Sequence, residues 1–207
     1  MTTTEAVTTV ADAERAKAGS PAQRERRKRI LDATIDLASE GGFDAVQMRE
    51  VAERAEVALG TLYRYFPSKI HLLVAALGRE FEGTEARTST RVTPGDTAHE
   101  RVMYILSRMT KSMQRQPQLT EAMVRAFMFA DSSVTDEIHL VGMQLTAVIS
   151  RAMAGSPDHS DATAEEAAII RVISDVWLSA LVSWVTGRMA AKEVENHLDT
   201  AVKLILP

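Results

Sequence analysis

The sequence contains no cysteine among its 207 residues. Disulfide bonds, thiol catalysis and cysteine-ligated metal sites are therefore excluded. Aromatic residues are scarce, at 5%, and no uninterrupted apolar run approaches the ~20 residues of a membrane-spanning helix. Residues 1–19 also lack the basic start and the apolar centre of a signal peptide. We therefore predict a cytoplasmic protein without membrane contact, whose residues 1–19 form a disordered tail.

Negative charge is in only slight excess, and the formal net charge is −4. Residues 20–69 hold nine Lys/Arg and eight Asp/Glu, which leaves a net −5 for the rest of the chain. The basic residues of this segment cluster at 24–29. Such a distribution fits a small DNA-reading domain on a larger acidic domain, with salt-sensitive DNA binding. A solvated charged helix face would produce the same cluster.

The apolar residues recur with helical spacing throughout, and no strand alternation is present, which predicts an all-α fold. We expect an N-terminal three-helix helix-turn-helix domain at 20–69 and a larger helical domain at 70–207. Ser20-Pro21-Ala22-Gln23 has the form of a capping box at a helix start, and Gly41-Gly42 should end that helix. Phe43 is expected to fill the core of the three helices. The later helices are predicted at about 70–87, 98–115, 117–130, 132–153, 162–188 and 192–205.

Residues 45–69 have the pattern of two short helices joined by a tight turn. Val51 and Ala55 belong to the apolar face of the first helix, and Leu62 and Phe66 to that of the second. Pro67 should end the second helix. A core does not need the polar groups that the second helix also carries, whereas a helix in the DNA major groove uses such groups to bond phosphates and base edges. These groups belong to Thr61, Tyr63, Arg64 and Tyr65, and Gly60 allows the helix to approach the DNA closely.

The ordered segments 46–52 and 60–69 resemble the DNA-binding signature of TetR-family repressors. The resemblance implies a homodimer that reads palindromic double-stranded operator DNA, one helix-turn-helix per half-site. It implies phosphate contacts from Tyr63, Tyr65 and Lys69, with Gln47 and Arg49 beside them. Gly60, Thr61 and Arg64 should face the bases, and Arg27 represents the basic cluster. The alternative for each tyrosine is a place in the small core, and for Lys69 an exposed helix start.

Three positions depart from the pattern of that family. Glu56 stands where the turn usually has glycine, and Ala58 stands where serine or threonine usually caps the second helix. The missing cap costs ~1 kcal/mol locally. Gln47 replaces a usual threonine, and its amide can still bond a phosphate. The DNA-binding prediction therefore survives these departures.

The helix predicted at 162–188 is apolar on nearly all sides, so it must be covered on nearly all sides. One chain of this size can cover one side. We therefore predict that this helix and the last one form a four-helix bundle with a second copy of the chain, as the family resemblance also implies. The alternative is an intramolecular core. The predicted interface residues are Val176, Ala180, Ser183, Trp184, Leu198, Val202 and Ile205.

Seven of the ten methionines fall between residues 103 and 153. Methionine adapts to bulky apolar ligands, although it also serves as core filler. The family resemblance favours an effector cavity, for which we predict Leu77, Met103, Leu106, Met109, Met113, Met123, Phe127, Leu145 and Trp177.

The segments QRERRKRILDAT, LTEAM and RVISDVWLSALVSW resemble TetR-family repressors of actinobacterial cholesterol catabolism. That resemblance implies a hydrophobic effector, the coenzyme A thioester of an early cholesterol catabolite with a 3-oxo-4-ene ring system, and no resident cofactor. Arg108, Lys111 or Arg125 could meet the coenzyme A moiety. An acyl-CoA or a hydrophobic drug is the alternative effector.

An all-α metal enzyme is the remote alternative. Asp136/His139 and Glu193/His197 have helical spacing that could bind a metal, but the further ligands of a helical di-metal site are not visible. No nucleophile elbow, phosphate-binding glycine loop or HExxH motif is present. We therefore predict a regulator and no enzyme. The sequence does not determine the operator sequence or the number of dimers that bind it. It also does not distinguish repression from activation.

Overall fold

The computed structural model describes residues 20–159 and 162–206. The predicted tail at 1–19 lies outside the described residues. Within those ranges the chain forms nine α-helices and no strand, which confirms the all-α prediction. A 3₁₀ turn, Ser132–Val134, precedes the seventh helix. The helices are α1 Pro21–Ala45, α2 Met48–Arg54, α3 Leu59–Tyr65, α4 Lys69–Thr88, α5 Ala98–Gln114, α6 Pro117–Met128, α7 Thr135–Ala154, α8 Ala164–Val185 and α9 Ala191–Ile205.

Helix α1 begins with the predicted capping box and is broken at the predicted glycines. The Gln23 N–H donates to Ser20 Oγ at 3.2 Å, and the Ser20 N–H donates to Gln23 Oε1 at 2.6 Å. Gly41 and Gly42 leave helical geometry, and the chain resumes a last turn that ends at Ala45. The φ of Gly42, 68°, lies in the left-handed region that favours glycine.

The first three helices pack around one small apolar core that fixes the orientation of α3. Ile30, Leu31, Val51 and Leu62 are each at most 1% exposed in this core. Phe43 packs against the core only from its edge and does not fill its centre. Because α6 packs along the end of α1, Phe43 lies half-buried at the junction of these two helices.

Helix α4 connects the two halves of the chain. Its residues from His71 to Gly78 are all buried, because α1, α6 and α7 surround it. A helix enclosed over two turns moves only together with its neighbours. Helix α4 thus connects the core of the larger domain to α1 of the smaller one.

Helix α8 is apolar on nearly all sides, and the chain covers only part of it. By length and composition alone it could cross a membrane. The mean hydropathy of its most apolar stretch is 1.6, and 28% of that stretch is buried within the chain. Its inner face packs through Ile170, Ile173 and Trp177, which are at most 3% exposed. On its outer face Val172 is 51% exposed. That outer face combines Val172 with the exposed Arg171 and Asp175, so it is a partly apolar surface of the kind that a partner covers.

Candidate nucleic-acid interface and effector domain

Helix α3 presents polar side chains away from the core. Leu62 anchors it with 0% exposure, whereas Tyr63 is 47% exposed and Arg64 is also exposed. A Cβ on Gly60 would meet no heavy atom within 4 Å, so the outer side of the helix is open at its start. No side chain caps the helix at Ala58, as the sequence suggests. Gly60, Tyr63 and Arg64 thus form a surface that a DNA groove can approach.

The other two predicted contacts on α3 lie at the edge of this surface. Thr61 and Tyr65 are half-buried. The Tyr65 ring packs against the small core, with its centroid 6.5 Å from that of Phe66. The Tyr65 ring thus takes the place in the small core that the sequence allowed, and its phosphate contact stays a prediction.

Three further predicted phosphate contacts stand at the starts of α2 and α4. Gln47 and Arg49 are exposed, and the Gln47 side chain makes no capping hydrogen bond to α2. Lys69 is half-buried. Its Nζ donates to the Phe43 carbonyl oxygen at 3.2 Å and lies 4.1 Å from the centroid of the Phe43 ring. The Lys69 ammonium is thus held by the end of α1.

Arg27 is an exposed residue of α1 beside the C-terminal end of α3. Its guanidinium carbon lies 5.3 Å from the Phe66 ring centroid. It lines a cavity of about 60 Å³ together with Val74 and Gly78 of α4 and Gln144 of α7. Arg27 is nevertheless exposed at this junction of α1, α4 and α7, so its phosphate contact stays a prediction. Spacing along α1 could not reveal this junction, because α4 and α7 are distant in sequence.

The tight turn between α2 and α3 is built on a non-glycine residue with positive φ. Glu56 has φ 53°, a conformation that costs an L side chain ~1 kcal/mol or more. Its carboxylate lies 3.7 Å from the Arg29 guanidinium in an exposed ion pair. Such a pair contributes little to stability. The turn is therefore held mainly by the packing of the helices on either side.

The predicted effector residues come together in the buried centre of the larger domain. Six are at most 9% exposed, and Met103, Met113 and Phe127 are half-buried against them. None of the nine lines the cavity of about 60 Å³ beside Arg27. These side chains pack against one another and against their buried neighbours, as core residues do. The six are Leu77, Leu106, Met109, Met123, Leu145 and Trp177.

Buried polar groups of the larger domain were missed by the sequence reasoning. The Trp177 Nε1–H donates to Thr110 Oγ1 at 2.9 Å. On α7, buried atoms of Gln144, Ser150 and Arg151 have no hydrogen-bond partner. Arg151 also meets Glu85 at 3.4 Å. Their residue types gave no signal, because only the packing of α4 against α7 buries them.

The three cations considered for the coenzyme A moiety occupy different surroundings. Arg108 is exposed and donates to the Tyr104 hydroxyl at 3.2 Å. Lys111 lies 3.3 Å from Glu195 of α9, whose pKa is lowered first by a hydrogen bond from Ser107 and then by Lys111. Arg125 contacts α1.

The predicted dimer residues divide into two groups. Ala180, Leu198 and Val202 are at most 1% exposed within one chain, so they pack in its own core and offer a partner no surface. The sequence could not separate these positions because α8 is apolar all round. Leu204, at 81% exposed, lies on the outer side of α9 and was not predicted. The half-buried members are Val176, Ser183, Trp184 and Ile205.

The described residues contain no group of three or more His, Asp and Glu that could hold a metal ion. The two spaced pairs considered for a metal enzyme thus gain no further ligand from the fold in that part of the chain.

Two family patterns match the chain. "Bacterial regulatory proteins, tetR family" matches residues 30–76, and "Tetracyclin repressor-like, C-terminal domain" matches residues 95–205. The first covers the helix-turn-helix, and the second covers the helices that contain the predicted effector and dimer residues.

Three similar proteins carry the description HTH-type transcriptional repressor KstR. The chain is 53% identical to that of Mycolicibacterium smegmatis over 97% of this chain and 96% of the relative. It is 56% identical to the repressor of Rhodococcus jostii over 90% of this chain and 85% of the relative. It is 51% identical to that of Mycobacterium tuberculosis over 97% and 90%.

Solved structures share the fold. A TetR transcriptional regulator from Rhodococcus sp. RHA1 is 31% identical, with a TM-score of 0.80 over 89% of this chain and 97% of that one. FadR from Bacillus subtilis in complex with stearoyl-CoA matches with a TM-score of 0.60 over 86% and 97% of the two chains. Its identity of 16% shows the fold alone.

Proposed function

The chain belongs to the TetR family of bacterial transcriptional regulators, and we propose that it controls sterol-catabolism genes and leaves its operator when it binds a steroid–CoA thioester. It is a DNA-binding transcriptional repressor and not an enzyme. The single observation that carries the steroid part is the identity of 51–56% to three KstR repressors along most of the chain. The resemblance described from the sequence supplies the link to cholesterol catabolism. As a soluble regulator of DNA, the protein acts in the cytoplasm.

The effector site of this proposal is the methionine-rich centre between α4, α5, α6, α7 and α8. A steroid ring system is rigid and apolar, and it would replace contacts among Met109, Met123 and Trp177. The fold can hold a CoA thioester, since FadR of the same fold binds stearoyl-CoA.

The functional unit of the proposal is a homodimer on a palindrome. The uncovered, partly apolar side of α8 and the exposed Leu204 of α9 support it, because a second copy of the same surface would bury both. Two chains then carry two α3 helices, which read half-sites about one DNA turn apart.

Release from DNA follows as a population shift. The effector separates the helices around it, and α4 transmits the displacement, since this helix is enclosed by α1, α6 and α7. The spacing of the two α3 helices then no longer matches two successive major grooves. The effector achieves this only by as much as it prefers the non-binding conformation.

The test is fluorescence anisotropy with a palindromic duplex from upstream of sterol-catabolism genes, at two salt concentrations. We expect tight, salt-sensitive binding that a cholestenoyl-CoA thioester releases and that free coenzyme A leaves unchanged. Release by lauroyl-CoA but not by the cholestenoyl thioester would replace the steroid with an acyl-CoA effector. Binding that no thioester alters would leave the repressor without this effector class.

A further inference from the structure

Phe43 lies where three helices meet, and each polar group of its backbone is held by a different helix. Its N–H donates to Glu121 Oε2 of α6 at 2.9 Å, although the two residues are 78 positions apart. Its carbonyl oxygen accepts from Lys69 Nζ of α4 at 3.2 Å. Its ring has Lys69 Nζ at 4.1 Å and the Arg125 guanidinium carbon at 4.4 Å from the centroid. Phe43 therefore connects the larger domain to a predicted phosphate contact.

The break in α1 is shaped to admit the Glu121 carboxylate. Gly42 has φ 68°, and a Cβ at this position would come within 2.9 Å of Glu121 Oε2. Glycine is thus favoured by the backbone conformation, and a larger residue would displace the carboxylate from this position. The carboxylate reaches the Phe43 N–H because no side chain stands between them.

One face of α6 grips the end of α1 at three successive positions. With its amide nitrogen turned toward α1, Gln118 donates to the carbonyl oxygens of Ser39 and Glu40 at 2.6 and 2.7 Å. Glu121 takes the Phe43 N–H, and Arg125 lies 3.3 Å from Asp44. The spacing 118, 121 and 125 places the three on one side of the helix.

The other side of α6 belongs to the centre of the larger domain. Met123, Val124 and Ala126 are at most 5% exposed, and Met123 is among the predicted effector residues. A helix is stiff over this length, so a force on Met123 also moves Glu121 and Arg125.

We propose that Glu121 and Arg125 are positioning residues for DNA binding, which hold Phe43 so that Phe43 orients the Lys69 ammonium toward a phosphate. The inference rests on the DNA-binding function above and adds a connection through α6 to the one through α4. The Glu121 carboxylate makes a charge-assisted hydrogen bond to the Phe43 N–H, and the Phe43 carbonyl and ring both attract the ammonium. A displacement of α6 loosens Phe43 and leaves Lys69 without its orientation.

The test is a double-mutant cycle between Glu121 and Lys69 in the full-length protein. The DNA is the duplex that the wild-type chain enriches from a random-sequence pool, which requires no prior operator. Affinity is measured by anisotropy for the wild type, E121A, K69M and E121A/K69M. We expect the E121A substitution to weaken DNA binding about fivefold in the wild-type background and less than about twofold in the K69M background. E121Q, which keeps an acceptor for the Phe43 N–H, should restore most of the affinity.

The charge-matched control is E80A, at an exposed carboxylate of α4. Removing a negative charge alone should leave binding unchanged or slightly tighter, because DNA is an anion. E121A also removes a negative charge, but it should weaken DNA binding. Hydrogen exchange of the Phe43 amide adds a readout without DNA, and it should accelerate in E121A and not in E80A.

Three outcomes separate a failure of this inference from a failure of the DNA-binding function on which it rests. Equal effects of E121A in the wild-type and K69M backgrounds would show general loosening and overturn the positioning role. Unchanged affinity of E121A with a faster Phe43 amide would overturn it as well. A wild-type chain that enriches no duplex would instead overturn the DNA-binding function itself.

Discussion

Glu56 adopts a conformation that its residue type disfavours, and glycine at this position should stabilise the fold. Replacing Glu56 (φ 53°) with glycine removes strain of ~1–2 kcal/mol and adds ~0.5–1 kcal/mol of unfolded-state entropy. We expect E56G to raise the free energy of unfolding by about 0.5–1 kcal/mol, as measured by urea denaturation. The exposed ion pair with Arg29 should contribute little to the difference.

The matched control is E53G, one turn earlier in α2. Glu53 is exposed in helical geometry, so glycine there should destabilise by about 1 kcal/mol. Equal effects of E53G and E56G would contradict the strain at Glu56.

Arg64 is the exposed cation of α3, and its loss should change which DNA sequence is preferred. An arginine that bonds a guanine edge contributes about 1–3 kcal/mol of discrimination. We expect R64A to weaken binding to the preferred duplex by that amount and to relax preference at one position in each half-site. K69A should weaken binding to all sequences alike and lower the salt dependence. Competition titrations with single-base variants separate the two patterns, and uniform weakening by R64A would contradict a base contact.

Among the helices, the end of α7 depends on one side chain of α5. Arg101 donates from Nε to Ala152 O at 2.7 Å and from Nη2 to Met153 O at 2.8 Å. Its Nη1 donates to the carbonyls of Gly95 and Asp96 at 3.3 and 3.1 Å. The planar guanidinium thus satisfies four carbonyls, two of them in the last turn of α7.

Lysine cannot reproduce this geometry, because its ammonium is a single point of donation. We expect R101K to lower the free energy of unfolding by about 1–3 kcal/mol, measured by thermal denaturation. R108K, at an exposed position of the same helix, should change stability by less than about 0.5 kcal/mol. If the two variants melt alike, the capping role of Arg101 is wrong.

The whole molecule should be a dimer through the outer sides of α8 and α9. Val172 and Leu204 are 51% and 81% exposed in one chain. An aspartate at each would be desolvated without a partner, at a cost of several kcal/mol for the pair. We expect V172D/L204D to elute with the mass of one chain in light-scattering chromatography and to lose most of its affinity for a palindrome. V92D, at a 64% exposed residue between α4 and α5, should remain a dimer, and a dimeric V172D/L204D would place the interface elsewhere.

Local patterns in the sequence were enough for the helices and for the surface of α3. The capping box at Ser20, the break at Gly41-Gly42 and the absent cap at Ala58 each depend on a few adjacent residues, and the structure has all three. Exposure of Tyr63 and Arg64 follows from helical periodicity around Leu62. The resemblance to the TetR family was evident from the short segments 46–52 and 60–69.

Long-range packing settled the features that periodicity leaves open. Phe43 lies against Glu121, Arg27 lines a junction with α7, and Ala180 and Leu198 face the chain's own core. Each of these contacts joins residues far apart in the chain, so no local spacing encodes it. The partners of a side chain depend on which helices meet, and that is fixed by the free energy of packing the whole chain.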